Sequence, residues 1–219
     1  MYPLPLLQST MEIRPLLGER AGEPHVFDFS SKNPRTCEYD TAHFEAFQNI
    51  VVDELARNGK TWGIGKYLEE RAGVLRHYPQ MIAEKRIYHA GLDVTGGAGT
   101  PLFCPIPATV HLVGKEEGLG NYGGYVMLAH AMDGTRFYSF YGHLDSKHRV
   151  KVGQVLNSGE VFAAIGDGRD SGGWFTHTHL QIVTEEAERQ GRVFQGYVSA
   201  ADLPMIELLF PNPYLLFRW

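Results

Sequence analysis

Four histidines and one aspartate sit at spacings that suit a metal ion: His89 and Asp93 in YHAGLDV, His143 in FYSFYGHL, and His177 and His179 in THTHLQIV. A catalytic zinc site takes three protein ligands from His and carboxylate and keeps one position for water. Residues two apart on a strand project from the same face, about 7 Å apart at roughly 3.3 Å per residue. One of His177 and His179 can therefore bind a metal while the other faces the bound water. His89 and Asp93 are four apart, a helical spacing, although Gly91 and the β-like residues after it point to a turn entering a strand. Either geometry lets both reach one ion. Strand alternation in FYSFYGHL puts Ser139, Tyr141 and His143 on one face and Tyr138, Phe140 and Leu144 on the other, so His143 could share the metal-bearing face.

The order of these pieces is more specific than any one of them. YHAGLDVTGGAGTP, GLGNYGGYVMLAH, FYSFYGHL, VKVGQVLNSGEVFAAIGD and THTHLQIV follow one another over residues 88 to 183. This succession resembles the lysostaphin-type (LytM-like) zinc metallopeptidase family, whose pattern runs HxxxD, a glycine-rich turn, YxHL, VxxGQ and HxH. The resemblance implies zinc ligands at His89, Asp93 and His179, catalytic histidines at His143 and His177, and Zn2+ as the cofactor. It also implies a compact antiparallel β-sandwich and, as substrate, peptide crosslinks of peptidoglycan or a small peptide. One carboxylate and two neutral imidazoles leave such a site net positive, and the metal can lower the pKa of its water from about 15.7 toward about 7. His143 and His177 would then share hydrogen-bond donation to the oxyanion and proton delivery to the departing amine.

Two other readings stay open. A relative that has given up turnover would be a non-catalytic binding or regulatory module, but such relatives usually lose ligand residues, and all five are intact here. The N-terminal region could also fold over the groove and supply a ligand in place of water, with an Asn or Asp of residues 28 to 40 as the candidate.

Several patterns mimic other chemistry. Gly118, Gly120 and Gly123 spell a formal GxGxxG, but the strand-like GYVMLAH follows where a dinucleotide site needs a helix, so this reads as a hairpin loop. His43, Asp93 and Ser171 fall in the chain order of a chymotrypsin-like triad, yet His43 lies inside an amphipathic helix and two cysteines cannot make that family's disulfides. A cupin reading of HxH fails on order, because Glu185 follows His179 by six residues while the other candidate ligands lie upstream. His111 and His130 sit within strands and read as structural, while Tyr88 and Tyr141 flank site residues and are candidates for the groove wall or the core.

The elements that must position these residues fall into three parts. Residues 1–86 form an N-terminal extension with two helices. Phe44, Phe47, Val51 and Leu55 recur at helical steps between a cap at Asp40 or Thr41 and a stop at Gly59. A second helix is predicted over much of 63–77, closed by Pro79. Residues 87–185 are short β-branched and aromatic runs broken by Gly, Asn and Asp, the pattern of antiparallel sheets packed as a sandwich. Residues 186–219 read as a tail docked on this core. The fold class is thus mainly β, a β-sandwich core with an N-terminal helical segment.

Composition narrows the partners. Lys and Arg total 20 against 25 for Asp and Glu, a net charge of −5 that offers no footprint for nucleic acid. No stretch is apolar enough to span a bilayer, and Cys37 and Cys104 read as reduced thiols. The opening MYPLPLLQSTMEIRPLL has no basic n-region, unbroken apolar run or cleavage site, so the expected compartment is the cytoplasm, or the periplasm or exterior if a leader is missing. The expected partner is a peptide or peptidoglycan-derived substrate.

Overall fold

After Tyr88 the period-two runs separated by glycine turns become strands, since each run buries one set of alternate side chains and the turns return the chain antiparallel. The computed structural model describes residues 11–19 and 22–219; residues 1–10, part of the opening segment read for an export signal, lie outside them. The main sheet contains β1 (His25–Phe27), β2 (Gly63–Gly65), β4 (Leu92–Thr95), β6 (Ala108–Glu116), β7 (Gly123–Met132), β8 (Thr135–Leu144), β9 (Val155–Leu156) and β11 (His177–Thr184). Its order is β1-β2-β4-β11-β8-β7-β6-β9, and every neighbouring pair is antiparallel except β1 with β2. Two short antiparallel pairs complete the strands: β5 (Pro101–Phe103) with β10 (Val161–Ala164), and β3 (Tyr88–His89) with β12 (Tyr197–Val198).

The sandwich is lopsided. On one face of the main sheet Leu92, Val94, Val126, Tyr141, Leu144 and Leu180 pack against Leu102, Phe162 and Ala163 of the β5–β10 pair and its surroundings. On the other face Met127, Phe140 and Val183 are covered by Ala90, Val198 and the C-terminal residues Ile206, Leu209 and Phe210. The chain is mainly β, as its patterning predicts.

The N-terminal extension differs from its sequence reading in the cap of its first helix and in the segment after Gly59. Helix α1 (Phe44–Arg57) forms as expected, but the residue before it is His43, with no side-chain cap, while Asp40 instead accepts from the Ala42 amide. The predicted 63–77 helix is absent. Gly63 and Gly65 make the segment a poor helix, and Ile64 pairs with Val94, so the chain adds strand β2 to the sheet edge beside β4. Only Ala72–Leu75 (α2) is helical before Pro79, which opens the short helix α3 (Pro79–Ala83) rather than closing one. The extension is anchored by an aromatic cluster in which Phe29, Tyr39 and Phe47 meet Trp174 and Phe175. Each fully buried ring of this kind is worth on the order of 2 kcal/mol. Among the described residues no helix is long and apolar enough to cross a membrane, and both cysteines are free thiols.

The structural reading of His130 holds. Its Nδ1–H donates to the Pro107 carbonyl at 3.1 Å and its Nε2 accepts from Ser139 Oγ at 2.7 Å. Burial lowers its pKa to about 4, so its contribution to stability is present above the unfolded value near 6.5 and is lost as pH falls through about 4. Of the stability lost between urea titrations at pH 7 and at pH 4, this group should account for about 3 kcal/mol. His130→Gln should show a correspondingly shallower pH slope, and equal slopes in the two proteins would refute the assignment. His111 is likewise held, by Glu188 at 2.5 Å.

Candidate metal centre

Strands β4 and β11 lie side by side with Asp93 directly opposite His179 and Thr95 opposite His177. Cross-strand partners share a face, so Asp93, His177 and His179 point the same way, while Leu92, Val94 and Leu180 point into the main core. His89 arrives from β3 through the tight link Ala90–Gly91. A Cβ at Gly91 would lie 2.4 Å from His179 Cε1 and 2.7 Å from the Leu180 carbonyl oxygen. The glycine in HAGLD is thus what lets His89 and His179 approach each other.

His89, Asp93 and His179 are all buried, and each offers a ligand atom within 4.8 Å of the others. His89 Nε2 is 3.0 Å from His179 Nδ1, and Asp93 Oδ1 is 3.2 Å from the first and 3.4 Å from the second. The outer nitrogens explain which lone pairs meet. His89 Nδ1–H donates to the Lys66 carbonyl at 3.0 Å, so its Nε2 carries a lone pair. His179 Nε2–H donates to Gln181 Oε1 at 2.9 Å, and the Gln181 amide is oriented by its own donation to the Gln195 carbonyl. Its Nδ1 therefore also presents a lone pair. Two lone pairs and a carboxylate oxygen converge with no proton among them, an arrangement that a cation resolves. A tetrahedral ion with bonds of about 2.0–2.1 Å spaces its ligand atoms about 3.3 Å apart, close to these separations.

The electrostatics agree. Burial, followed by the neighbouring Arg71 charge, lowers the His89 pKa to about 3, which keeps the ring neutral. Burial opposes ionisation of Asp93, yet His89, Arg71 and His177 around it hold its carboxyl well below the usual range. A neutral imidazole and an ionised carboxylate are the forms that bind metal.

His177 and His143 stand beside this group. His177 Nδ1–H donates to the Phe175 carbonyl at 2.6 Å, which leaves Nε2 free, 3.4 Å from Asp93 Oδ1. The His143 and His177 rings are 4.4 Å apart. Burial, then the adjacent His177 and His179, pushes the His143 pKa well down, and its Nδ1 has no hydrogen-bond partner among the described residues.

The route by which His143 gets there corrects the sequence reading. Tyr141 pairs with Leu180 and lies in the main core, so simple alternation would send His143 into that core as well. Instead His143 has φ of +59°, and β8 carries one more residue than β7 between the pairs Val126–Tyr141 and Gly124–Leu144. This bulge turns His143 to the metal-bearing face and Leu144 to the core beside Tyr141. A left-handed histidine is strained, and here the Tyr122 carbonyl accepts its amide at 2.7 Å while its own carbonyl accepts from Gly166 at 2.9 Å. Gly142 must be small, since a Cβ there would lie 2.3 Å from the Tyr122 ring.

The five residues line a cleft of about 410 Å³. One wall is aromatic: Tyr78 stacks on Trp174 at 4.8 Å, and Trp174 on Tyr197 at 6.3 Å. The 186–219 segment is accordingly more than a docked tail, because Tyr197 lines the cleft and pairs with His89. Tyr88 and Tyr141 do not line it. Tyr122, Gln181 and Arg71 were missed in the sequence; only Gln181, two residues past His179 on the same strand face, carried a local signal. The other patterns dissolve. Ser171 Oγ donates to the Trp174 carbonyl, His43 pairs with Asp40 on the surface, and Gly118, Gly120 and Gly123 have left-handed φ in the loop before β7 and at its first residue. Asp28, Asn33 and Asp40, the candidates for a blocking ligand, bond to Ser30, Arg35 and Ala42 respectively.

Residues 87–191 match Peptidase family M23. A curated relative from Haemophilus influenzae, described as an uncharacterized metalloprotease, is 37% identical over 94 residues, which are 43% of this chain and 18% of the relative. Among solved structures, a zinc-containing peptidase from Vibrio cholerae is 25% identical with a TM-score of 0.39, over 51% of this chain and 29% of that one. The catalytic domain of lysostaphin from Staphylococcus simulans is 21% identical with a TM-score of 0.40, over 55% of this chain and 80% of that one. The chain thus spans less than a third of the length of the curated relative and of the Vibrio peptidase.

Proposed function

We propose that this chain, whose residues 87–191 match Peptidase family M23, is a zinc-dependent metalloendopeptidase that cleaves a peptide bond in peptidoglycan crosslinks or in a small peptide. The observation that carries the reading is the convergence of two imidazole lone pairs and one carboxylate oxygen, each held from behind, at 3.0–3.4 Å spacing in a cleft. His89, Asp93 and His179 are the zinc ligands in this reading. A zinc ion there would polarise the peptide carbonyl and activate water near neutrality.

The chain's own residues do the rest. His177, with Nδ1 committed to the Phe175 carbonyl, offers Nε2 as a base toward the cleft. His143, neutral and with an unpartnered Nδ1 beside it, can donate to charge developing on the carbonyl oxygen or deliver the proton that the departing amine needs. The wall of Tyr78, Trp174 and Tyr197 offers flat apolar surface to a peptide backbone and excludes water from the reacting bond.

The test is zinc analysis of the purified protein together with a chelator-sensitive assay on a panel of peptides and muropeptides. One equivalent of zinc and cleavage that is lost on chelation and restored by zinc are expected. A protein that takes up no zinc, or cleaves equally well after chelation, would require a different function.

A further inference from the structure

We propose that Arg71, a residue of the N-terminal extension, is a positioning residue of the metal centre that holds the outer oxygen of Asp93 so that only one carboxylate oxygen is offered to the ion. This inference rests on the zinc reading above. It places part of the centre outside residues 87–191, the segment that matches the peptidase family.

Arg71 is 3% exposed, and a guanidinium cannot shed its charge when buried. Its Nη1 donates to Asp93 Oδ2 at 2.7 Å and its Nε to Glu69 Oε2 at 3.0 Å. The other carboxylate oxygen, Oδ1, is the one that faces His89 Nε2, His179 Nδ1 and His177 Nε2 at 3.2, 3.4 and 3.4 Å. The two oxygens of Asp93 therefore have separate partners, one toward the extension and one toward the histidines.

Three further features make this arrangement more than a chance ion pair. Strand β2 pairs Gly65 with Asp93, and a Cβ at Gly65 would lie 2.8 Å from Arg71 Nη2 and 3.0 Å from Asp93 Oδ2. The missing side chain is the space the guanidinium uses. The Lys66 carbonyl accepts both from Arg71 Nη2 at 3.4 Å and from His89 Nδ1 at 3.0 Å, so one peptide group holds both the ligand His89 and the guanidinium behind Asp93. Glu69, itself buried, accepts from the Phe29 amide and pairs with Lys66, and Phe29 lies under the Arg71 guanidinium at 5.0 Å. Glu69 also pairs with the Arg71 guanidinium, which offsets part of its charge and fixes its orientation. Partners behind metal ligands typically change metal affinity by about 10–100-fold when removed.

The experiment compares wild type, Arg71→Met, Arg71→Lys and Glu69→Gln as whole chains, with folding of the metal-free forms followed by circular dichroism. Zinc affinity is measured by chelator competition, and the visible spectrum is recorded after loading with Co2+. Arg71→Met should bind zinc about 10–100-fold more weakly. Its Co2+ bands should lose intensity, as expected when a freed carboxylate binds through both oxygens and raises the coordination number. Arg71→Lys keeps a charge but loses the fork that reaches Asp93 and Glu69 together, so it should fall between the two. Glu69→Gln should weaken binding in the same direction. If Arg71→Met does not fold, Arg71→Lys decides by the same two readouts. A wild type that takes up no zinc would overturn the metallopeptidase reading itself. Zinc affinity and Co2+ spectra unchanged from wild type in the folded Arg71 variants, beside a wild type that binds zinc, would overturn the role of Arg71 alone.

Discussion

His179→Ala should give a folded chain that holds no zinc and shows no peptidase activity, whereas His143→Ala and His177→Ala should keep zinc and lose on the order of 10²- to 10⁴-fold in turnover. His179 Nδ1 is one corner of the triangle it makes with His89 Nε2 and Asp93 Oδ1, so removing it leaves two donors and an open cleft. Two ligands do not hold zinc at useful affinity, since structural and catalytic sites take three or four. His143 and His177 have no place in the three-atom cluster. Their loss removes proton transfer and oxyanion stabilisation while the ligand spacing stays as it is. Metal content and turnover measured on the same preparations separate the two groups. Zinc loss in all three variants would show that the division into ligands and proton carriers is wrong.

Gly91→Ala should cost nearly as much zinc affinity as removing a ligand, although it touches no donor atom. The new methyl would meet His179 Cε1 at 2.4 Å and Nε2 at 2.5 Å, and the Leu180 carbonyl oxygen at 2.7 Å. The ring cannot simply turn away, because its Nε2–H is held by Gln181 and the strand behind it is paired on both sides. Either the imidazole shifts and Nδ1 leaves the cluster, or β3 moves and takes His89 with it. Overpacking of this kind typically costs 1–3 kcal/mol in stability. Backbone strain is not the cause, since Gly91 is not among the glycines with left-handed φ. The double variant Gly91→Ala/His179→Ala supplies the check: with the ring gone, the stability cost of the alanine should shrink, a coupling that a cycle measures directly. Wild-type zinc affinity in Gly91→Ala would mean that the link yields without disturbing the site.

Residue types and short-range spacing carry far in this protein. The two histidines of THTH share a face because a strand alternates with period two, and no distant residue is needed to know it. The turn at Gly91, the amphipathic register of Phe44–Arg57 and the hairpin glycines of GLGNYGG follow equally from local rules. These determined a mainly β chain with a set of candidate metal ligands ordered in a pattern that resembles the lysostaphin-type family. What lay beyond them depended on partners far along the chain. Ile64 becomes a strand only because Val94 offers it an edge, which overrides the helical look of the residues around it. His143 reaches the cleft only through a bulge against β7, which a rule of strict alternation cannot foresee. Arg71, set in an unremarkable EERAG, acquires a role only because the sheet brings Asp93 against it, 22 residues later in the chain. Local backbone geometry is written in neighbouring residues, whereas the layer of groups that orients a metal site is made by contacts whose free energy exists only once the strands have paired.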